Sequence, residues 1–342
     1  MPAESLPVGK LPGDMLESFL ARLPTSGSQV ILGPGIGLDC AVVEVAGRLL
    51  VFKSDPITFA SDSIGWYAVQ VNANDLATCG ALPRWLLVTL LLPSSGAPTL
   101  LDQIGAQLKQ ACDELGIVVI GGHTEVTYGL DRPILVGTMV GEVSGEQLIT
   151  PRGVQPGDRL LLTKGIPIEA TSVLSRELPD RLMGSPNGLS EIELQAAQAF
   201  LRQPGISVLA DAQIAIQAGQ VHAMHDPTEG GLYTALWELA QACQHTLWVD
   251  FSTVPVFPLA ARICQILGLD PLGAIASGSL LLAAAPQEAL NITTALSQAG
   301  IACSEIGSVS SEAGPPVVRS GFSPQAELAP RPARDEIAKL FG

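Results

Sequence analysis

Short apolar runs alternate along this chain with stretches where apolar positions recur every three or four residues, the texture of an α/β protein. After an irregular Pro- and Gly-rich start (residues 1–13), Asp14 caps a predicted helix over MLESFLARL. AVVEV and Arg48–Ser54 read as strands, the second ended by Asp55-Pro56. Ser63–Cys79 reads as a helix and Trp85–Leu92 as a buried strand. Thr99–Leu115 is an amphipathic helix with Leu100, Leu101, Ile104, Leu108 and Ala111 on one face. Ile117–Ile120 reads as a short buried strand, and Pro133–Val143 closes this half.

Near Gly145–Gly157 the texture changes. PRGVQPGD is a turn-rich linker, and RLLLTK opens a second unit. That unit continues with a helix within Gly165–Leu178, the helix LYTALWELAQAC, a strand at Trp248–Phe251 and a helix at Leu259–Leu267. The strand LLLAAA, a helix in Pro286–Gly300 and a strand at Cys303–Val309 complete it. The expected organisation is α/β in two domains, 14–147 and 148–312, with a Pro-rich tail, 313–342, ending in a short helix. A chain of 342 residues is long enough for two cores.

Charge narrows the partners. Acids outnumber bases 33 to 18, a formal charge of −15, which repels nucleic acid and anionic lipid. The start Met1-Pro2-Ala3-Glu4 lacks a signal peptide's basic and apolar segments, and no run is long enough to span a membrane. The six cysteines occur singly, mostly among apolar neighbours, and read as reduced core thiols of a cytoplasmic protein.

Three stretches carry candidate chemistry. In VNANDLATCGALP, Asn72, Asp75, Thr78 and Cys79 share one helix edge, and Asn74 lies among them. An acid and two amides ahead of a core strand cost burial energy unless something polar meets them. Capping and turn chemistry would account for them, as would one wall of a Mg²⁺–phosphate site. Gly121-Gly122-His123-Thr124-Glu125 ends a strand in bare backbone beside polar groups, where N–H groups could meet phosphate. In His225-Asp226-Pro227-Thr228-Glu229-Gly230-Gly231, Asp226 and Thr228 can cap the next helix, and the glycines permit close approach to its N-terminus. Lys10, between Gly9 and Leu11, is either a solvated lysine or an arm reaching a phosphate. Glu169 suits a helix start, or contacts substrate across the domain cleft. The glycine-rich turn 33–37 precedes a strand and is not a dinucleotide fingerprint.

NANDLATCGALPRWLL, with DPITFA before it and GGHTEV after it, resembles the aminoimidazole ribonucleotide (AIR) synthase superfamily, nearest its HypE-like branch. The resemblance runs from about Gly33 to about Val309. It implies an N-terminal domain that pairs with a second copy into a dimeric β-barrel core, and ATP in a cleft between the domains. It further implies Asp39, Asp55, Asp75 and Asp226, with Glu125, around Mg²⁺, and Asp75, His123 and Asp226 as catalytic. Lys10, Asp55, Asn72, Asn74, Gly121, Gly122, Thr124, Thr228, Gly230 and Gly231 would bind the nucleotide.

The chain departs from that pattern in places. Leu38 precedes Asp39 where relatives have a polar or acidic residue, and His123 replaces a carboxylate of the HypE and thiamine-phosphate kinase branches. Glu229 replaces a basic residue of HypE. The chain ends Leu340-Phe341-Gly342 with no acceptor cysteine, and no cysteine precedes Cys40 as in selenophosphate synthetase. The expected function is ATP- and Mg²⁺-dependent phosphorylation of a carbonyl or amide oxygen of a small molecule. The alternatives are a small-molecule kinase and a nucleotide-binding partner of maturation proteins.

Overall fold

The computed structural model describes residues 9–57, 60 and 62–341. They form two six-stranded sheets, one in each half of the chain. The first contains β1 (Val30–Leu32), β2 (Ala41–Val45), β3 (Arg48–Ile57), β4 (Leu82–Leu92), β5 (Val118–Val126) and β6 (Ile134–Val143), in the order β1-β2-β3-β6-β4-β5. The second contains β7 (Arg159–Thr163), β8 (Val221–His225), β9 (Leu247–Val249), β10 (Leu281–Ala284), β11 (Cys303–Val309) and β12 (Val318–Ser320), in the order β12-β9-β11-β7-β10-β8. The helices are α1 (Gly13–Leu20), α2 (Ile64–Thr78), α3 (Ala97–Leu115), α4 (Ile168–Glu177), α5 (Pro179–Gly184), α6 (Glu191–Gln198), α7 (Leu209–Ala218), α8 (Gly231–Cys243), α9 (Pro258–Leu267) and α10 (Ala289–Gln298). None of the described helices is long and apolar enough to cross a membrane.

In the first sheet β4 and β5 are parallel, joined by α3 as a crossover; the other neighbours are antiparallel. The sheet stays open, so among the described residues the chain by itself closes no barrel. β6, the last strand of this half in sequence, is central, between β3 and β4. Two expectations change. β5 is the edge, and all nine of its residues are exposed, not buried. β3 continues through Asp55-Pro56 to Ile57. It can do so because β2 stops opposite Phe52, leaving the far end of β3 with β6 on one side only, where a proline costs no ladder bond on the open side. Within residues 313–342, β12 pairs in parallel with β9 of the second sheet.

α2 is the joint of the molecule. Every residue of it is buried, polar ones included. It lies against β3, β4 and β6 of its own sheet and touches α7 and β8 of the other domain. At Gly65 a side chain would meet the Ile104 carbonyl of α3 at 2.7 Å, so the two helices approach through bare backbone. Asn74 crosses the domain boundary. Its amide donates to the Ile206 carbonyl at 2.7 Å, and its oxygen accepts from the Val208 N–H at 2.9 Å. Replacing Asn74 with alanine strands both backbone groups in a dry junction. The expected loss is about 2–4 kcal/mol, read as a lower denaturation midpoint. A midpoint within about 0.5 kcal/mol of wild type would show that water replaces the amide.

Candidate active site

Four acids reach one place from four elements. Asp39 precedes β2, Asp55 lies near the end of β3, Asp75 is in α2, and Asp226 follows β8. Ligand atoms of Asp39, His225 and Asp226 all lie within 4.8 Å of one another. Both carboxylate oxygens of Asp226 are buried with no hydrogen-bond partner. Lys53 of β3 links the group, with Nζ 3.3 Å from Asp75 Oδ2 and 3.5 Å from Asp55 Oδ2. The Asp75 contact is an ion pair only, since no hydrogen bond reaches that buried oxygen.

A second layer holds the first. His225 sits between two carboxylates, Nδ1 2.7 Å from Asp39 and Nε2 3.0 Å from Glu238 of α8. With an acceptor at each nitrogen, both must donate, so the ring is an imidazolium. Burial opposes that charge, but Asp39 and Glu238 outweigh it and hold His225 well above the usual histidine range. Glu238 also accepts from Lys10 Nζ at 3.2 Å. Burial works against its charge too, yet Lys10 and His225 bring its carboxyl down to about 2.

The acids nearest the open position behave in the opposite way. Burial, with Asp39 adding to it, pushes Asp226 up to about 8. Burial likewise drives Asp75 well above the carboxylate range, with Asp226, Asp55 and Asp39 adding to the effect and Lys53 working against it. Six acids (Asp39, Asp55, Asp75, Asp226, Glu229 and Glu238) thus share the site with three cations, Lys10, Lys53 and His225. Unpartnered carboxylate oxygens suit a hard metal such as Mg²⁺.

Residues 37–143 match the model of the AIR synthase related protein, N-terminal domain, and residues 155–318 match that of the C-terminal domain. The chain belongs to the AIR synthase-related family. Carbamoyl dehydratase HypE of Cupriavidus necator is 30% identical to it over 258 residues, 72% of this chain and 68% of that protein. Among solved structures, a HypE–HypF complex superimposes with a TM-score of 0.75 at 18% identity, covering 94% of this chain and 100% of that one. A ThiL complex with AMPPCP and TMP does so with a TM-score of 0.68 at 21% identity, covering 92% of this chain and 94% of that one.

In this AIR synthase-related chain the other expected residues divide into three groups. Lys10 and Thr228 lie at the acid cluster. Lys10 Nζ is 3.5 Å from Thr228 Oγ1, and its backbone N–H donates to Glu229 at 2.8 Å. Asn72, Asn74, Gly230 and Gly231 are used by the fold. The Asn72 side chain accepts from the Asp55 N–H at 3.1 Å, holding the open edge of β3. Gly230 N–H donates to Asp335 at 2.5 Å, and Gly231 N–H to the Thr228 carbonyl at 2.9 Å. As the helix N-terminus stands, a carboxylate of the chain holds the position expected for phosphate.

The third group is elsewhere. Gly121, Gly122, His123, Thr124 and Glu125 are on β5, and β6 and β4 separate that strand from Asp55. Glu125 pairs with His123 at 3.0 Å on the exposed edge and does not join the four aspartates within the chain. Gly122 answers a packing need, because a side chain there would lie 1.9 Å from the Val88 carbonyl. Gly121, Gly122, His123 and Thr124 line one side of a groove whose other side is apolar, with Val88, Leu90, Leu101 and Ile104.

Lys53, His225 and Glu238 were not among the residues expected at the site. Lys53 stands within KSDPITF and His225 within HAMHDPTEGG, so each lay beside a recognised acid. Glu238 had no such signal, since only the turn of α8 brings it back under His225.

Proposed function

We propose that this chain is an ATP- and Mg²⁺-dependent enzyme that transfers the γ-phosphoryl group to a carbonyl or amide oxygen of a small molecule. Support comes from Asp39 and Asp226 gathered with His225, from the unpartnered oxygens of Asp226, and from Lys53 joining Asp55 and Asp75 beside them. A HypE carbamoyl dehydratase among the relatives and a ThiL–AMPPCP complex among the fold neighbours support the nucleotide and the reaction class. Asp39, Asp226 and Asp75 would hold Mg²⁺, which would supply charge neutralisation at the phosphates. Lys53 and Lys10 add fixed positive charge where phosphate oxygens would gather. His225 orients Asp39 through its hydrogen bond, and Glu238 in turn keeps His225 charged. Phosphoryl transfer needs such positioning more than a covalent nucleophile.

The exposed edge β5, with Val118, Val119, Ile120 and Val126 in the open, fits a homodimer formed through the first sheet. The HypE–HypF neighbour supports a maturation-protein partner in the same way.

Calorimetry with Mg²⁺–ATP, followed by product analysis, tests the reading. Expected are saturable binding that requires Mg²⁺, and ADP with inorganic phosphate when an acceptor is present. A stable phosphorylated product would make the protein a kinase, and binding without turnover on any acceptor would leave a nucleotide-binding assembly protein. Absence of binding would end the proposal.

A further inference from the structure

A cavity of about 590 Å³ opens at one end of the first sheet, where β3 and β4 begin and β6 finishes. Asp55 lies towards the opposite end of β3, and none of the site's acids lines this cavity. Arg48 of β3, Arg84 of β4 and Glu142 of β6 stand on its wall, and Leu49, Leu82 and Val143 give it apolar surface. Gly47 of the β2–β3 turn and Gly145 also line it. A Cβ at either would meet nothing within 4 Å, so the mouth is open to solvent there.

One acid faces two bases in this cavity, in a chain where acids outnumber bases 33 to 18. Arg48 Nη1 donates to Glu142 Oε1 at 3.3 Å. Arg84 Nε stands 3.6 Å from Glu142 Oε2, beyond hydrogen-bond length. The other N–H groups of both guanidiniums meet no acceptor among the described residues. Exposed ion pairs of this kind are weak, so Glu142 holds the two arginines together without saturating them. A guanidinium presents its donors in a planar fork that matches the oxygens of a carboxylate or a phosphate.

Volume decides what accompanies that oxyanion. An inorganic ion would occupy only a small part of 590 Å³, whereas organic ligands fill cavities of about 300–1,000 Å³. The inner wall adds a consequence of position. Gly80, just after α2, lines the cavity with Gln147, and a Cβ on Gly80 would lie 2.5 Å from the Gln147 carbonyl. Two residues on, the Ile149 N–H donates to the Cys79 carbonyl at 3.2 Å. An occupant would therefore touch both the end of α2 and the segment that leads into the second sheet.

We propose that this cavity is a second small-molecule site. It takes an organic anion, with a carboxylate or phosphate head between Arg48 and Arg84 and an apolar body against Leu49, Leu82 and Val143. Glu142 is the intramolecular competitor for that head. Binding here needs neither metal nor nucleotide, so the inference stands apart from the phosphoryl-transfer reading.

The test uses the full chain in chelator without nucleotide, where the acid cluster repels anions. Calorimetry and thermal melts follow phenyl phosphate, benzoate, inorganic phosphate and benzyl alcohol. Expected is saturable binding of phenyl phosphate or benzoate that raises the melting temperature, the tighter of the two identifying the head group. Inorganic phosphate should bind about tenfold more weakly for want of the apolar body, and benzyl alcohol should not bind. Arg48→Gln and Arg84→Gln should each weaken binding about tenfold. Glu142→Gln should strengthen it by about threefold or more, because the competitor and its charge are gone. An ion pair with a purely structural role would give no such gain. The proposal is overturned if neither phenyl anion binds, if inorganic phosphate or benzyl alcohol binds as tightly, or if Arg48→Gln and Arg84→Gln keep the wild-type affinity. It is overturned equally if Glu142→Gln binds no more tightly than wild type.

Discussion

Asp226→Asn is expected to weaken Mg²⁺–ATP binding by on the order of 100-fold, about 2.7 kcal/mol, while making the metal-free protein more stable above pH 7. Both effects have one origin. The Asp226 carboxyl is buried with neither oxygen bonded, so ionising it without a cation is costly. Its folded value of about 8 lies far above the ordinary 3.8. A carboxyl raised in this way favours the folded state while protonated. That contribution is fully present below about pH 4 and is lost as pH rises through 8. Every tenfold weakening of an acid corresponds to about 1.4 kcal/mol, so the wild-type penalty at pH 8 is several kcal/mol in order of magnitude. An amide never ionises and escapes it. Thermal melts in chelator at pH 5.5 and 8.5, paired with nucleotide calorimetry, check both halves. A variant that binds normally, or that melts lower than wild type at pH 8.5, would show that Asp226 is a structural acid.

The second large effect is proton release on metal binding. Divalent cations need ionised carboxylates, and here burial brings Asp226 up to about 8 and pushes Asp75 upward as well. Mg²⁺–ATP affinity should therefore rise about tenfold per pH unit between pH 6 and 7.5 for each proton displaced. Calorimetry in two buffers of different ionisation enthalpy counts those protons directly. Added Mg²⁺ and nucleotide should also raise the melting temperature more at pH 8.5 than at pH 5.5. A pH-independent affinity would mean that the metal finds its carboxylates already ionised. The outward-facing Glu125, whose hydrogen bond from His123 lowers its pKa, contributes nothing to this linkage.

What the sequence made legible was local. Ser63–Cys79 reads as a helix because its breakers stand outside it, and α2 occupies Ile64–Thr78. Asp39, Asp55, Asp75 and Asp226 could be named because the short motifs that hold them resemble those of the family. Burial was harder to read. Val118-Val119-Ile120 has the apolar run of a core strand but lies on an edge, because nothing in a single chain's pattern says whether its neighbour is the same chain or another. The glycines 121, 122, 230 and 231 illustrate a second limit. Bare backbone permits approach by a phosphate, a strand or a carboxylate alike, and the residue type cannot say which comes. At Gly122 it is the Val88 carbonyl, and at Gly230 the Asp335 side chain. His225 and Glu238 escaped for a third reason. Their significance is a relation across thirteen positions, closed only when α8 folds back beneath β8.

The turn from Asp226 to Gly231 is clasped from two sides. Lys10 approaches it from the leading segment, and Asp335 seats on Gly230 while Trp237 donates to the Pro330 carbonyl at 3.0 Å. On the ribosome, then, this turn cannot be finished when its own residues emerge. It waits for about a hundred more to be synthesised, and until Asp335 arrives the nascent chain carries an uncapped helix end beside unneutralised acids.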